Sequence, residues 1–363
     1  MKLQVTQENL SKALGSVARV ASSRGTLPIL SNVLVKTVDG RLSIAATNLD
    51  IAITHYIGSK VSQEGAITVP ARLMQDFVGS LPSGVIELKL DDLKLHINSD
   101  KYNSVINGVS AEDYPVMPAI AEGQSWKIPG KLLKQALQQV IIAASSDEAR
   151  PVLTGVYWHT HDGKLYMVAT DSYRLAEKSL INMKQDVELL IPASALQDLL
   201  RIIGDYEEEV VVTHDDQQVL FQVGDVELVT RLIEGKYPDY RKLIPRSFAS
   251  DAVLKRAELT NITKVSSLFA RESAGSVTIN LDAENQQVSI KSIASQIGEN
   301  VASATATITN EGNITLNSRY ILDALHALGG EDVRLAFNGK LEPCILADPK
   351  ANDYLHVVMP LKS

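Results

Sequence analysis

The chain comprises 363 residues, 45% hydrophobic and 21% charged, with a formal net charge of −8 and a single cysteine. This leaves room for two or three globular domains with real cores, and excludes a disulfide framework, a CxxC site and a membrane span of ~18 apolar residues. An acidic balance is awkward for tight duplex binding, which needs clustered Lys and Arg, so positive charge for such a role has to be confined to one face.

The N-terminus enters a strand at residues 1–5 and a helix at 6–20 with no signal-peptide hydrophobic stretch, which reads as cytoplasmic. In that helix Leu10, Leu14, Val17 and Ala21 form the apolar stripe, while Lys12 and Arg19 lie seven apart on another face. Strands at 33–37 and 42–46 follow, joined by Asp39-Gly40, a hairpin signal. Near residue 70 a proline closes an apolar run and suits the opening turn of a helix. Residues 117–123 read as a linker.

The middle third repeats this plan. A strand at 126–128 leads into a helix at 129–144, with Leu133, Ala136, Leu137 and Val140 apolar and Lys131, Lys134 and Gln138 outside the stripe. Arg150-Pro-Val-Leu-Thr-Gly then aligns without a gap on Leu27-Pro-Ile-Leu-Ser-Asn. The offset is 123: Pro28 matches Pro151, Asp39-Gly40 matches Asp162-Gly163, and Tyr114-Pro115 matches Tyr237-Pro238. Asp215-Asp216 sits between apolar runs as a hairpin turn. After a second linker at 245–250, the last third opens with a strand at 252–255 and a helix at 257–271, in which Lys264 and Arg271 share the polar side. Asp76, Asp198 and Asp323 occupy equivalent points of the three copies, and Asn317 or Ser318 can cap the helix that has no proline before it. Three copies of one domain, at residues 1–120, 126–246 and 250–363, are expected, built from six half-repeats of one helix and about four strands. The fold class is α+β, each domain having two outer antiparallel sheets and two inner helices.

Chemistry-bearing motifs are absent: there is no P-loop, no GxGxxG after a strand, no GxSxG and no HExxH. His159 and His161 could share a strand face as metal ligands sometimes do, but no third ligand is suggested, and surface strand histidines are far commoner. No catalytic residue, metal or cofactor is expected.

Together, Leu27-Pro-Ile-Leu-Ser-Asn, Val168-Ala-Thr-Asp-Ser-Tyr-Arg-Leu-Ala176, Ile233-Glu-Gly-Lys-Tyr-Pro-Asp-Tyr-Arg241 and Val357-Val-Met-Pro-Leu-Lys362 resemble the bacterial DNA polymerase III β subunit, the sliding clamp, over essentially the whole chain. The resemblance implies a head-to-tail homodimer closing into a ring of six similar domains around duplex DNA, with no catalysis of its own. A domain of one third of this chain is about 35 Å across; six leave a hole of similar width and three only about 5 Å. A clamp that slides needs weak attraction inside its hole and an acidic exterior, which accommodates the net charge. Lys12, Arg19, Arg24, Arg72, Lys131, Lys134, Arg150 and Lys264 are the candidates for the DNA-facing side, with Arg24, Arg72 and Arg150 favoured as matches to family positions. The chain departs from the best-known clamps at Pro151-Val152, where some carry two aromatics, at Asp147, where a glutamine can occur, and at Ala193-Ser194, which lacks a basic residue. These departures bear on DNA contact from the middle domain.

The resemblance also implies a groove in which polymerase, clamp loader and repair proteins dock short linear peptides. Carried over, it comprises Leu153, Thr170, Ser172, Tyr173, Arg174, Leu175, Pro238, Lys242 and Leu243. Asn317, Tyr320, Leu341, Pro343 and the tail Val357, Val358, Met359, Pro360, Leu361 and Lys362 complete it. Apolar residues would form an adaptable floor, with Arg174 and Lys242 at the rim to hold carbonyls or a carboxylate; as isolated leucines, Leu153, Leu175 and Leu243 would equally read as core. For the ring contacts, Leu268 and residues 103–108 are expected to abut. A monomeric tandem-domain scaffold that binds peptides without encircling DNA is the alternative, and an enzyme with an unrecognised site is a third reading for which no nucleophile can be named.

Overall fold

The computed structural model describes residues 1–21, 27–120, 122–294 and 298–361. The six half-repeats appear in chain order, each a strand, a helix and three strands. The first is β1 (Lys2–Thr6), α1 (Gln7–Val17), β2 (Asn32–Val38), β3 (Arg41–Thr47) and β4 (Ile51–Ile57). The second carries one extra strand: β5 (Lys60–Gln63), β6 (Ala66–Pro70), α2 (Ala71–Ser80), β7 (Val85–Asp91), β8 (Lys94–Ser99) and β9 (Tyr102–Asn107). The third is β10 (Gln124–Pro129), α3 (Gly130–Val140), β11 (Gly155–His161), β12 (Lys164–Thr170) and β13 (Arg174–Asn182). The fourth is β14 (Glu188–Pro192), α4 (Ala193–Ile203), β15 (Glu209–His214), β16 (Gln218–Val223) and β17 (Val226–Arg231). The fifth is β18 (Ser250–Lys255), α5 (Arg256–Phe269), β19 (Ser276–Asp282), β20 (Gln287–Ala294) and β21 (Gly298–Ile308). The last is β22 (Gly312–Asn317), α6 (Ser318–Ala327), β23 (Asp332–Phe337), β24 (Cys344–Ala347) and β25 (Tyr354–Val358).

Local chemistry explains the repetition. Asp39-Gly40 and Asp162-Gly163 both adopt φ near +48° and +73°, the doubly left-handed turn that matches the twist of a hairpin. Pro28 and Pro151 open short 3-10 turns before β2 and β11. Thr6 caps α1 through Asn9 N, and Asn317 caps α6 through Arg319 N. Three prolines behave differently from expectation. Pro70, Pro129 and Pro192 are the last residues of β6, β10 and β14, and each helix begins one residue later. The helices are also shorter: α1 stops at Val17, and α3 gives way at Ile141 to a 3-10 turn.

The chain divides into two compact units, residues 1–131 with 197–232 and residues 132–196 with 233–363. The first unit holds a sheet ordered β5-β1-β7-β8-β9 and another ordered β10-β15-β16-β17-β4-β3-β2-β6. The second holds one continuous antiparallel sheet, β14-β11-β12-β13-β25-β24-β23-β18-β21-β20-β19-β22. Sheets therefore run across the boundaries between repeats. β4 pairs with β17, with Ile53 opposite Leu228, and β13 pairs with β25, with Leu175 opposite Val357. Each pairing covers strand edges that would otherwise present unpaired N–H and C=O groups. The helices cover apolar sheet faces with fully buried Leu10, Leu14 and Val17 on α1, Leu133 and Leu137 on α3, and Leu259 on α5.

Candidate docking groove and basic face

Both candidate regions grow from the repeat. In the second unit, the loop between β12 and β13 is held by its own side chains. Thr170 Oγ1 accepts from Ser172 N (3.1 Å) and donates to the Arg174 carbonyl (2.6 Å), while Asp171 Oδ1 accepts from Tyr173 N (2.9 Å) and Arg174 N (3.0 Å). The same pattern stands 123 residues earlier, where Thr47 bonds Leu49 N and the Ile51 carbonyl and Asn48 accepts from Ile51 N. Ser172 and Leu49 even share a left-handed φ of 77° and 80°. A non-glycine residue stays there only when its surroundings determine it.

Arg174 sits at the centre of this loop. Its Nε donates to Asp171 Oδ2 (3.0 Å), its Nη1 to Asp323 Oδ2 (2.5 Å), and its guanidinium lies 4.5 Å from the centroid of the Tyr320 ring. With its side chain only 10% exposed, it braces the loop against α6. Lys242 is exposed and paired with Asp239 at 2.7 Å, so its ammonium is the basic group presented to solvent beside Leu243.

The expected apolar floor divides in two. Leu153, Leu175 and Val357 are buried in one cluster with Val168, Leu190, Tyr237, Tyr240, Ala336 and Ile345. Leu243, Tyr173 and Leu341 are exposed at 48%, 58% and 70%. Buried leucines thus support a surface that exposed ones present. The tail joins the loop directly: β25 pairs with β13, Met359 N donates to the Tyr173 carbonyl at 2.8 Å, and Leu361 N donates to the Thr315 carbonyl at 2.9 Å. Val358 is buried, while Met359, Pro360 and Leu361 are half-buried. Asn317 and Tyr320 lie at the start of α6, Pro343 immediately before β24, and Pro238 is exposed with its carbonyl bonded by Tyr240 N. Lys362 lies outside the described residues.

Beneath the cluster is a polar network that sequence reasoning missed. The Tyr240 hydroxyl donates to Glu177 and lies 2.8 Å from His159 Nε2, and Arg241 stacks 4.7 Å from the Tyr166 ring centroid. Burial, then Glu177, pushes the Tyr240 phenol up, while burial and then Arg241 push His159 down to about 4. His159 is therefore an interior histidine engaged by a tyrosine, and not the surface residue expected. His161 faces Asp162 at 3.2 Å, and no cluster able to hold a metal occurs among the described residues.

The basic candidates are distributed over both units. In the first, Lys12 and Arg19 are exposed on α1 and line a cleft of about 340 Å³ with Asp198 and Arg201 of α4. Arg201 was not among the sequence candidates, although its position one turn after Asp198 on a helix is legible. Ser16 Oγ and His55 Nδ1, 2.9 Å apart, form the cleft wall, and burial followed by the charge of Lys12 holds His55 down at about 4. Burial raises Asp198 even though Arg201 and Arg19 pull the other way. Arg72 is exposed on α2, and Lys131 is exposed in the first turn of α3. In the second unit Lys264 is exposed on α5, whereas Lys134 is half-buried and already engaged. Arg150 is exposed and bonds Asp147 (3.3 Å) and Ser172 Oγ (2.9 Å), which places it beside the groove loop. Arg24 lies outside the described residues.

Comparison with known proteins gives one answer along the whole chain. Residues 1–118, 127–239 and 241–362 match the N-terminal, central and C-terminal domains of the DNA polymerase III beta subunit. The beta sliding clamp of Bacillus subtilis is 32% identical, and that of Synechococcus elongatus 30%, covering all of this chain and 100% and 99% of theirs. Among solved structures, the DNA polymerase sliding clamp from Bacillus subtilis superimposes with a TM-score of 0.95 at 30% identity, covering all of this chain and 99% of that one. A sliding clamp (DNA polymerase III subunit beta) from Pseudomonas aeruginosa bound to griselimycin does so at 0.95 and 25%, with both chains fully covered.

Proposed function

Because the chain belongs to the DNA polymerase III beta subunit family, the beta sliding clamps, we propose that it is a DNA polymerase processivity factor. It closes head to tail as a homodimer around duplex DNA, slides without sequence preference, and tethers polymerase, clamp loader and repair proteins through short linear peptides. It works in the cytoplasm without catalysis or a cofactor. The observation that carries this reading is the run of three consecutive family domains, matched over residues 1–118, 127–239 and 241–362.

Two strand edges support the ring. β9 ends its sheet with Val105 and Tyr102 exposed at 53% and 47%. β21 pairs with β20 along its length but with β18 only from Ala306 to Ile308, so residues 298–305 present an edge. Beside it, Val301 and Leu268 are exposed at 60% and 54%. Apolar, hydrogen-bond-ready edges of this kind are templates for another chain, and a heterologous contact between them closes when the rotation returns after two copies. The groove reading rests on the Met359–Tyr173 bond, which sets the tail beside the loop it is meant to serve.

The test compares retention on a nicked circle with retention on the same DNA after linearisation. Clamp loading predicts long residence on the circle and rapid loss from free ends. Equal loss from both, together with a monomeric mass, would favour the tandem-domain scaffold.

A further inference from the structure

The cleft lined by α1 and α4 in the first unit recurs in the second, between α3 and α6, with different chemistry. Lys12, Ser16 and Arg19 stand 123 positions before Gln135, Gln139 and Ile142, and all six line their respective clefts. On the facing helices, Asp198 and Arg201 stand 125 positions before Asp323 and His326, which line the second cleft. The cavities are similar in size, about 340 and 420 Å³.

The first cleft gathers three permanent cations, Lys12, Arg19 and Arg201, against one carboxylate, Asp198, which pairs with Arg201 at 2.5 Å; the net is +2, with Lys12 and Arg19 left to balance no carboxylate of the cleft, in a chain whose overall charge is −8. The second has two glutamines, an isoleucine and an imidazole in those places, and its carboxylate, Asp323, is committed to Arg174. Space differs in the same sense. Gly15 lines the first cleft, and a side chain added there would meet nothing within 4 Å. The residue 123 positions later is Gln138, whose side chain occupies that place in the second. Ser16 donates to the Ala13 carbonyl and so accepts from His55, which fixes the imidazole without adding charge.

We propose that the cleft of α1 and α4 seats one backbone phosphate of the encircled duplex, and that its counterpart between α3 and α6 does not. Each protomer then grips DNA at one of two clefts built from corresponding positions of the repeat. The inference rests on the duplex-encircling reading above and adds to it where the duplex is held and by how many phosphates. Arg201, absent from the sequence candidates, becomes a DNA-contacting residue, and three cations serve a single phosphate instead of one each.

The experiment is the salt dependence of binding to a short linear duplex, because each neutralised phosphate contributes about 0.9 to the slope of log K against log salt. A ring of two protomers holds two such seats, so the triple variant Lys12→Gln, Arg19→Gln, Arg201→Gln should lower the slope by about two. Lys12→Gln alone should lower it by less, since two cations still serve each phosphate. Conversely, Gln135→Lys with His326→Arg, which builds one seat in each protomer, should raise it by about two. Lys12, Arg19, Gln135 and His326 are exposed, and Arg201 is exposed but paired with Asp198 at 2.5 Å, so far-ultraviolet circular dichroism and the urea midpoint check that each variant keeps its fold. A triple variant whose slope falls by about six, one for each cation in both protomers, or does not change, would overturn the seat. If wild-type protein leaves circular and linear DNA equally fast, the encircling reading fails and the seat with it; if only the slopes disagree, the seat alone fails. Inorganic phosphate separates the sources: perturbation of the cleft by phosphate with no effect of the triple variant on duplex binding would assign the site to the free ion and overturn the proposal.

Discussion

Arg174 Nη1 and Asp323 Oδ2 meet at 2.5 Å across 149 positions of the chain, joining the loop that precedes β13 to the middle of α6. The pair is largely shielded, with side chains 10% and 31% exposed. Removing the carboxylate leaves a partly buried guanidinium with Asp171 alone. Asp323→Ala should therefore destabilise the protein by about 2 kcal/mol, the scale of a hydrogen bond to a charged group. It should also weaken a polymerase-tail peptide while leaving the dimer mass unchanged. Urea unfolding and peptide titration read the two effects; full peptide affinity in a destabilised variant would separate the brace from the groove.

Deletion of residues 359–363 removes the Met359 N bond to the Tyr173 carbonyl and the half-buried Met359, Pro360 and Leu361. Anchors of this kind commonly cost ~2 kcal/mol or more each when truncated. Peptide affinity should fall by well over tenfold with the dimer intact, as measured by fluorescence anisotropy and light scattering. Unchanged affinity would move the docking site elsewhere.

Dimer closure should depend on the exposed apolar residues at the two edges. Val105→Glu or Leu268→Glu places a charge where an apolar contact is proposed, and either should shift the mass at micromolar concentration from dimer to monomer. Far-ultraviolet circular dichroism should remain unchanged, because both side chains are more than half exposed in the single chain. A dimer that survives both substitutions would exclude these edges.

Retention on DNA should depend on closure more than on charge. Arg72→Ala removes an exposed cation from α2, and loading should weaken modestly. Rings already on a closed circle should stay there at moderate salt. Loss from circles as fast as from linear DNA would contradict this.

Acid should destabilise the fold through its interior histidines. Burial is the first cause that lowers His55 and His159 to about 4 and His356 to about 3. In the unfolded chain these imidazoles protonate near 6.5. As pH falls below that value the unfolded state takes up protons that the folded state refuses, so stability declines between about pH 6.5 and 4, and above 6.5 this contribution is flat. His356 shows why. Tyr354 donates to the Gln139 carbonyl and so accepts from His356 Nδ1, leaving Nε2 without a partner in the core. His356→Asn keeps a donor towards Tyr354 and should flatten the pH dependence of the urea midpoint at some cost in stability. An identical slope would exclude His356 as a contributor.

The repeat was legible in detail because its turns depend on nearest neighbours. Asp39-Gly40 and Asp162-Gly163 need only two residues that tolerate positive φ, and Thr47 and Thr170 fold their loops with side chains two to four positions away. Strand partners far apart in sequence were not legible. Nothing near Ile53 indicates Leu228 as its neighbour, because that pairing answers a need of two sheet edges and not of either segment. In the groove, side-chain direction was the hidden variable. The residues carried over for Leu153, Leu175 and Val357 do cluster, but Arg174 turned inward to Asp323 and Arg150 towards Ser172. Both carboxylates that hold Arg174 were visible, Asp171 inside the motif and Asp323 as the partner of Asp76 and Asp198 in the repeat. Their convergence required the fold.

The pairing of β13 with β25 also sets a schedule. The loop at Arg174 leaves the ribosome about 180 positions before Tyr354, which at ~5–20 residues per second is roughly 10–40 s. Until β25 arrives, β13 has an open edge and the Tyr173 carbonyl lacks Met359. A chain stalled before the last strand lacks the tail that completes the proposed docking groove. On that proposal, competence to recruit is gained only when β25 pairs, and a copy that stops short of it is a poor competitor for a peptide-bearing partner.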